Sequence, residues 1–323
     1  MNQRLLLYIG KRLFLFLPTL VIASLVVFVV MRALPGDVIG AILGGEGEAL
    51  DPAIVAALRK ELGLDDPLHV QYARWAWSML KGEFGGRSLA TGEALSTLVA
   101  RQVPITLQLS SYALAIAVLT AVPLGAAAAA RHNRWPDAAV RVTAMLGSTV
   151  PGFWIAYLLL LAFVYGFRWY PPLVYVPVAQ NPVEHFQLMI LPAIVLGWGY
   201  GAHLARITRV QTIEALGQDY VRTARAKGVS GTGVLVRHAL RSALVPVVTA
   251  AGLNLGGLFG GAAVLENVFG IPGMGRGLVQ AVMARDYPVV QSLAVISVLI
   301  VLTVNLIIDL ALAYLDPRVT LDG

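Results

Sequence analysis

Six long stretches without a charged side chain constrain this chain more than any other feature of its sequence. A helix needs about 20 largely apolar residues to cross the hydrocarbon core of a bilayer, and each stretch has about that length or more. The stretches are Leu13–Met31, Pro104–Ala130, Val142–Tyr165, Phe186–Ala205, Ser242–Leu265 and Tyr287–Ile308. They predict an all-α polytopic membrane protein with six transmembrane helices.

The composition supports a membrane protein and excludes several kinds of chemistry. Of the 323 residues, 58% are hydrophobic and 13% are charged, whereas soluble domains carry about 25% charged residues. The chain has no cysteine, which removes disulfides, thiolate catalysis and Cys-ligated metals. The formal net charge of +6 is explained by basic residues gathered on one side of a membrane, so we predict no nucleic-acid partner.

Basic residues in the short loops predict the orientation, because Lys and Arg accumulate on the cytoplasmic side of a membrane. With the N-terminus inside, the short outside loops hold only Arg168, Arg276 and Arg285. The inside segments hold many more: Arg4, Lys11, Arg12, Arg131, Arg134, Arg141, Arg206, Arg209, Arg222, Arg225, Lys227, Arg237, Arg241 and Arg318. Both termini are therefore predicted to be cytoplasmic.

The spans divide the chain into four parts. These are a cytoplasmic N-terminus with the first helix (1–31), an extracytoplasmic helical segment (32–95), a membrane core (96–315) and a cytoplasmic tail (316–323). Apolar periodicity and helix-start signals predict two amphipathic helices in the extracytoplasmic segment, at Asp51–Glu61 and Pro67–Lys81. This small cap either docks a soluble partner or shields the outer mouth, and its residues do not distinguish between these two roles.

Prolines and glycines inside the predicted spans each leave two interpretations open. The prolines remove a backbone donor and can bend a helix, so they are either ordinary kinks or hinges around a translocation path; they are Pro18, Pro123, Pro151, Pro192 and Pro246. The fifth span carries Gly252, Gly256 and Gly260 on one face, with Asn254 in the same span. Small residues let helices approach closely in lipid, so these four positions either pack against another helix or line a path.

The sequence offers no catalytic or metal-binding constellation. It lacks a Walker-type phosphate loop, a G-x-S-x-G elbow and an H-E-x-x-H pair, and its five histidines fall on different segments without paired spacing. Carriers driven by ions usually need ionisable side chains within the membrane, and the six spans contain almost none. If the protein moves a solute uphill, we therefore expect another subunit to supply the energy.

An ordered basic block occupies the cytoplasmic loop 206–241. Gly217 is a predicted helix end, and Asp219 can cap a short helix that exposes Arg222 and Arg225 and ends at Gly228. Three interpretations remain open from the residues alone: a loop lying on anionic lipid, a packing helix, or a coupling helix that transmits motion from a soluble motor to the spans.

This block resembles the cytoplasmic loop of bacterial ABC-transporter permeases, closest to the dipeptide, oligopeptide and nickel group. The resemblance rests on Gly217–Gly228 followed by Arg237–Pro246. Further stretches match the same group: Leu34–Asp37, Glu61–Pro67, Glu266–Arg276, Arg285–Val290 and Leu315–Arg318. The wider superfamily has Glu-Ala-Ala where this chain has Arg222-Thr-Ala224, a departure that this particular group shares.

The resemblance implies a type-1 importer permease in a bacterial inner membrane, with no catalytic residue and no cofactor of its own. Its expected partners are a homologous second permease, two ATP-binding subunits that use the ATP, an extracytoplasmic substrate-binding protein and membrane lipid. The residues expected to couple to the ATPase are Asp219, Tyr220, Arg222, Thr223, Ala224, Arg225, Ala226, Lys227 and Gly228. Import of di- and oligopeptides is the expected function; a stand-alone channel or secondary carrier for a small polar solute is the alternative.

Overall fold

The computed structural model describes residues 3–33, 56, 63 and 65–315, and within these ranges the chain forms helices and turns without a β-strand. The helices are α1 (Gln3–Ala33), α2 (Leu68–Leu80), α3 (Leu95–Ala130), α4 (Trp135–Thr149), α5 (Gly152–Phe167), α6 (Pro182–Leu216), α7 (Asp219–Ala226), α8 (Gly231–Phe269), α9 (Met274–Met283) and α10 (Tyr287–Leu315). The predicted all-α class is confirmed.

Among the described residues, five helices are long and apolar enough to cross a membrane: α1, α3, α6, α8 and α10. The pair α4 and α5 makes a sixth span if it is counted as one, but its two halves meet at a bend of 106°. The predicted third span over Val142–Tyr165 is therefore broken near its middle, and the count of six holds with this pair as one span.

The break in the third span has a local cause at Pro151. A proline disfavours the helical region for the residue before it, and Val150 is extended, with φ −84° and ψ 126°. Pro151 also lacks the N–H that a continuous helix would need. Pro18, Pro192 and Pro246 remain inside helices, so only at Pro151 does the chain leave the helix.

The described chain divides into two units, and α1, α3 and α10 contribute residues to both. The larger unit comprises residues 1–10, 106–271 and 303–323, and the smaller comprises residues 11–105 and 272–302. In the larger unit, α6 is the central helix, because it buries many residues along its length and packs against α4, α5 and α8.

Small residues bring α3 and α6 into close contact within the larger unit. Ala113 and Ala117 of α3 are fully buried, and a Cβ atom added to Gly197 of α6 would lie 2.8 Å from the carbonyl oxygen of Ala113. In lipid, helices attract each other mainly through such close packing. Gly197 is therefore a site where two helix backbones touch and a side chain does not fit.

The loop before α6 is anchored by a buried histidine. His185 is fully buried, and its Nδ1 lies 2.9 Å from the carbonyl oxygen of Val176, so Nδ1 donates and Nε2 accepts from the Tyr112 hydroxyl at 3.2 Å. In the same loop, the Tyr175 hydroxyl donates to Gln108 Oε1 at 2.9 Å. Burial, with Tyr112 nearby, raises the pKa of the Tyr175 hydroxyl.

In the smaller unit, α2 corresponds to the helix predicted over Pro67–Lys81. The rings of Tyr72 and Trp75 pack on Phe28 of α1, with centroid distances of 5.4 and 6.0 Å. Two other apolar residues of α2, Trp77 and Leu80, are 60% and 80% exposed. The helix predicted at Asp51–Glu61 lies outside the described residues.

Asp286 joins two parts of the smaller unit that are distant in sequence. It is buried and accepts from the Ser88 hydroxyl at 2.5 Å and from the backbone N–H groups of Leu89 and Ala90, each at 3.2 Å. It also accepts from the N–H of Val289 at 3.4 Å, in the first turn of α10. One carboxylate thus caps α10 and holds the loop that precedes α3.

We expect Gly197→Ala to lower the thermal stability of the purified protein in detergent, because the new Cβ would meet the Ala113 carbonyl. Overpacking of this kind costs about 1–3 kcal/mol. Gly199→Ala is the matched control in the same helix, since its Cβ would have its nearest contact at 3.7 Å. Equal melting temperatures for the two variants would show that α3 and α6 do not touch at Gly197.

Candidate functional site

The basic block folds into the short helix α7, which follows α6 after two residues. The C-cap of α6 is Gly217, which keeps a right-handed backbone with φ −82°. The N-cap of α7 is Gln218, so Asp219 is its first helical residue. The prediction that Asp219 caps this helix is therefore wrong by one position, although its carboxylate still lies in the first turn, where the helix dipole favours a negative charge.

Gly228 ends the block in a conformation that favours glycine. Its φ is +80°, which side chains rarely tolerate. The N–H of Gly228 donates to the carbonyl of Arg225 at 2.9 Å, and the N–H of Val229 donates to the carbonyl of Ala224 at 3.2 Å. These two bonds form a Schellman motif, which fixes the direction in which the chain leaves α7 for α8.

The inner face of α7 packs on the start of α8. Val221 and Ala224 are buried together with Val234, and Leu216 and Val229 pack against them. Val234 opens a π-helical turn, Val234–Ala239, within α8. Ala224, one of the residues expected to couple to the ATPase, faces this apolar cluster, because a three-residue spacing from Val221 places both on one side of the helix.

The outer face of α7 holds the remaining residues of the predicted coupling surface, and all of them are exposed. They are Asp219, Tyr220, Arg222, Thr223, Arg225, Ala226, Lys227 and Gly228. Arg222 lies 3.5 Å from Asp219, but both side chains are largely in solvent, so this ion pair adds little stability. The face is therefore a positively charged surface on a firmly packed helix.

A cavity of about 470 Å³ lies within the larger unit, where the break between α4 and α5 faces α6 and α8. Its walls are rich in glycine, and its polar side chains include Ser148, His203 and Asn254. A volume of this size lies within the range of small-molecule binding sites. The cavity is therefore large enough for a small solute and offers it polar contacts.

The four positions singled out in the fifth span separate into different roles. A Cβ on Gly252 would lie 2.5 Å from Ile308 Cγ2, so Gly252 is a packing residue. Asn254 lines the cavity. Gly256 and Gly260 are exposed and do not line it. Gly257 and Gly261, one residue further along, line it instead, since four-residue spacing alone does not reveal which face meets a neighbour.

Two family models match this chain and together cover most of it. Residues 121–321 match the binding-protein-dependent transport system inner membrane component, and residues 5–110 match the N-terminal component of the same systems. The chain belongs to this family. The permease is therefore a transport component and not an enzyme, and the predicted membership among ABC permeases is confirmed.

Curated relatives cover nearly the whole permease. A protein of Brucella abortus (strain 2308), named as a permease of a peptide transport system, is 38% identical over 312 residues, which are 97% of this chain and 98% of the relative. The glutathione transport system permease protein GsiC of Salmonella typhimurium (strain LT2) is 39% identical over the same length and shares. The family membership disfavours the alternative of a channel or carrier that works alone.

One solved structure supports the fold. The crystal structure of an amino acid ABC transporter with histidines matches with a TM-score of 0.51 and 18% identity, over 74% of this chain and 97% of that chain. At this identity the match concerns the fold alone. It supports the type-1 permease architecture predicted from the resemblance.

The sequence analysis did not predict a buried ion pair that joins α4 to α6. Asp137, in the first turn of α4, is fully buried and receives two bonds from the Arg209 guanidinium of α6, through Nε to Oδ1 and through Nη2 to Oδ2 at 2.8 Å. The N–H of Asn133 adds a third bond at 3.0 Å. This bidentate pair fixes the end of α6 that leads into α7. In the sequence, the feature that could have indicated this pair is the single acidic residue between Arg134 and Arg141.

We expect Asp137→Ala to destabilise the permease strongly, because it leaves the Arg209 charge without its buried partner, a loss of about 3–5 kcal/mol. The double variant Asp137→Leu with Arg209→Met should recover much of that loss. Thermal unfolding in detergent measures both. Asp219→Ala, which removes the acid of the exposed pair with Arg222, is the matched control and should change stability by about 1 kcal/mol or less. A similar loss for Asp137→Ala and Asp219→Ala would contradict the assignment.

Proposed function

We propose that this permease is one membrane subunit of an ATP-driven importer for di- and oligopeptides. Two separate subunits would bind and hydrolyse the ATP, an extracytoplasmic protein would deliver the substrate, and a homologous second permease would complete the translocation path. The observation that carries the proposal is the outer face of α7, a positively charged and exposed surface on a helix packed firmly against the rest of the larger unit.

The connections of α7 suit it to transmit movement. Its inner face is packed on Val234 of α8, and only Gly217 and Gln218 separate it from α6. A displacement of α7 would therefore move the cytoplasmic ends of two spanning helices together. When ATP binding draws the two ATPase subunits together, the coupling helices would follow, and the spans would switch between inward-facing and outward-facing states.

The substrate class rests on the relatives and on the cavity. The two relatives compared here are named for peptide transport and for transport of glutathione, itself a small peptide. The cavity between α6, α8 and the α4–α5 break holds about 470 Å³, and its polar side chains match a substrate rich in amide groups. Among the described residues, no group of His, Asp and Glu could hold a metal ion, which gives a metal substrate no support here.

We expect Arg225→Glu to reduce ATP-driven uptake of a radiolabelled dipeptide by about tenfold or more in cells that carry the complete system. The variant reverses one charge on the exposed face of α7 and leaves its buried side intact, so the protein should still insert; about tenfold corresponds to 1.4 kcal/mol of docking free energy. Gly228→Trp should act in the same direction by obstructing the end of that face.

Arg168→Glu provides the matched control for the uptake experiment, because it reverses an exposed charge in a loop predicted to lie on the outer side. Membrane levels of all three variants are compared by immunoblot. Normal uptake by both α7 variants would contradict the assignment of α7 as the coupling helix.

The topology proposed for this subunit is a bacterial inner-membrane protein with both termini in the cytoplasm. We therefore expect a reporter that is active only in the periplasm to give no signal when fused after Gly323, whereas a fusion after Gln180, in the loop before α6, should be active. The opposite pair of results would reverse the orientation and would place α7 on the wrong side for an ATPase.

A further inference from the structure

Two polar side chains meet at the wall of the α6–α8 cavity. His203 projects from α6 and Asn254 from α8, with 3.4 Å between His203 Nε2 and Asn254 Nδ2. Asn254 lies near the middle of the predicted span Ser242–Leu265. Polar side chains at that depth face other helices or a water-filled path and not lipid.

The proton on His203 can be placed from its neighbours. The guanidinium of Arg206 lies 3.2 Å from His203 Nδ1, and a guanidinium can only donate. The Asn254 amide nitrogen is also a donor and faces Nε2 at 3.4 Å, whereas a neutral imidazole accepts at one nitrogen only. Because Arg206 is charged and lies closer, we assign Nδ1 as the acceptor, which leaves the proton on Nε2 of a neutral ring. The N–H at Nε2 is directed toward Asn254 and the cavity.

The orientation of the Asn254 amide is fixed in a similar way. Its Nδ2 donates to the carbonyl oxygen of Ala250 at 2.8 Å. Reversing the amide would place Oδ1 against that carbonyl, where two acceptors would repel. The contact between His203 and Asn254 therefore brings two donors together, and among the described residues no acceptor takes the Nε2 proton.

An acceptor placed at this point would satisfy both donors at once. A carboxylate offers two oxygens, each able to accept such bonds, and the positive charge of the adjacent Arg206 favours an anion over a neutral carbonyl. The surrounding glycines, among them Gly147, Gly199 and Gly257, leave room for a peptide backbone beside these donors.

We infer that His203 and Asn254 bind the C-terminal carboxylate of a short peptide in this cavity, with Arg206 contributing charge. The inference rests on the proposed function in peptide import and adds a substrate-contacting site inside the permease itself. It assigns a recognition step that follows release from the delivering protein, directed at a group that unmodified linear peptides share whatever their side chains.

The test uses the complete transporter, with its second permease and ATPase subunits, in lipid nanodiscs without the delivering protein. Binding of radiolabelled trialanine and of trialanine with a C-terminal amide is measured by equilibrium dialysis. The variants are Asn254→Leu and His203→Phe. The matched control is Asn267→Leu, because Asn267 in the same helix also donates to a carbonyl four residues earlier, at 2.8 Å, but does not line the cavity.

We expect wild type and Asn267→Leu to bind trialanine and to bind the amide about tenfold or more weakly, which corresponds to 1.4 kcal/mol or more. Asn254→Leu and His203→Phe should lose the preference for the free acid. Equal binding of acid and amide by wild type, or an unchanged preference in both variants, would overturn the site. ATP-driven uptake with the delivering protein present is measured separately: its absence would overturn the proposed function, whereas uptake without selective binding would overturn only this inference.

Discussion

Close backbone packing around α6 is the constraint on which the rest of the larger unit depends. Helices in lipid gain no hydrophobic free energy by leaving one apolar surrounding for another, so they need surfaces that fit at short range. Gly197 and the buried alanines of α3 provide such a surface. Once α6 is fixed there, its other faces are available for α4, for the cavity and for the connection to α7.

Three functional features are arranged along that one helix. His203 reaches the cavity, Arg209 forms the buried pair with Asp137, and Gly217 leads into α7. The buried pair resists separation because either charge alone would be costly to bury. The C-terminal end of α6 is therefore tied to the start of α4 as well as to α7. A force applied to the outer face of α7 would be shared by α4, α6 and α8.

The sequence predicted the spans because burial in lipid leaves a long, continuous apolar signal that needs no knowledge of the neighbours. The position of α7 was also predicted, since its start and its glycine end are local features. The pair Asp137–Arg209 was not, because it joins residues 72 positions apart and nothing local marks the contact. The burial of Ala224 and the choice of Gly257 over Gly256 depend likewise on which face of a helix meets another, and periodicity alone does not fix that rotation.

The break at Pro151 places a joint between two half-helices in one wall of the cavity. Gly147, Ser148, Gly152 and Phe153 line the cavity from both sides of the break, and the two half-helices meet at 106°. Val150 is extended and Pro151 has no N–H to donate, so no α-helical hydrogen bond ladder runs through the joint. Opening or closing the angle between α4 and α5 would therefore leave the hydrogen bonds of both halves intact. Rotation about this joint would therefore change the width of the cavity without breaking a hydrogen bond in either half-helix.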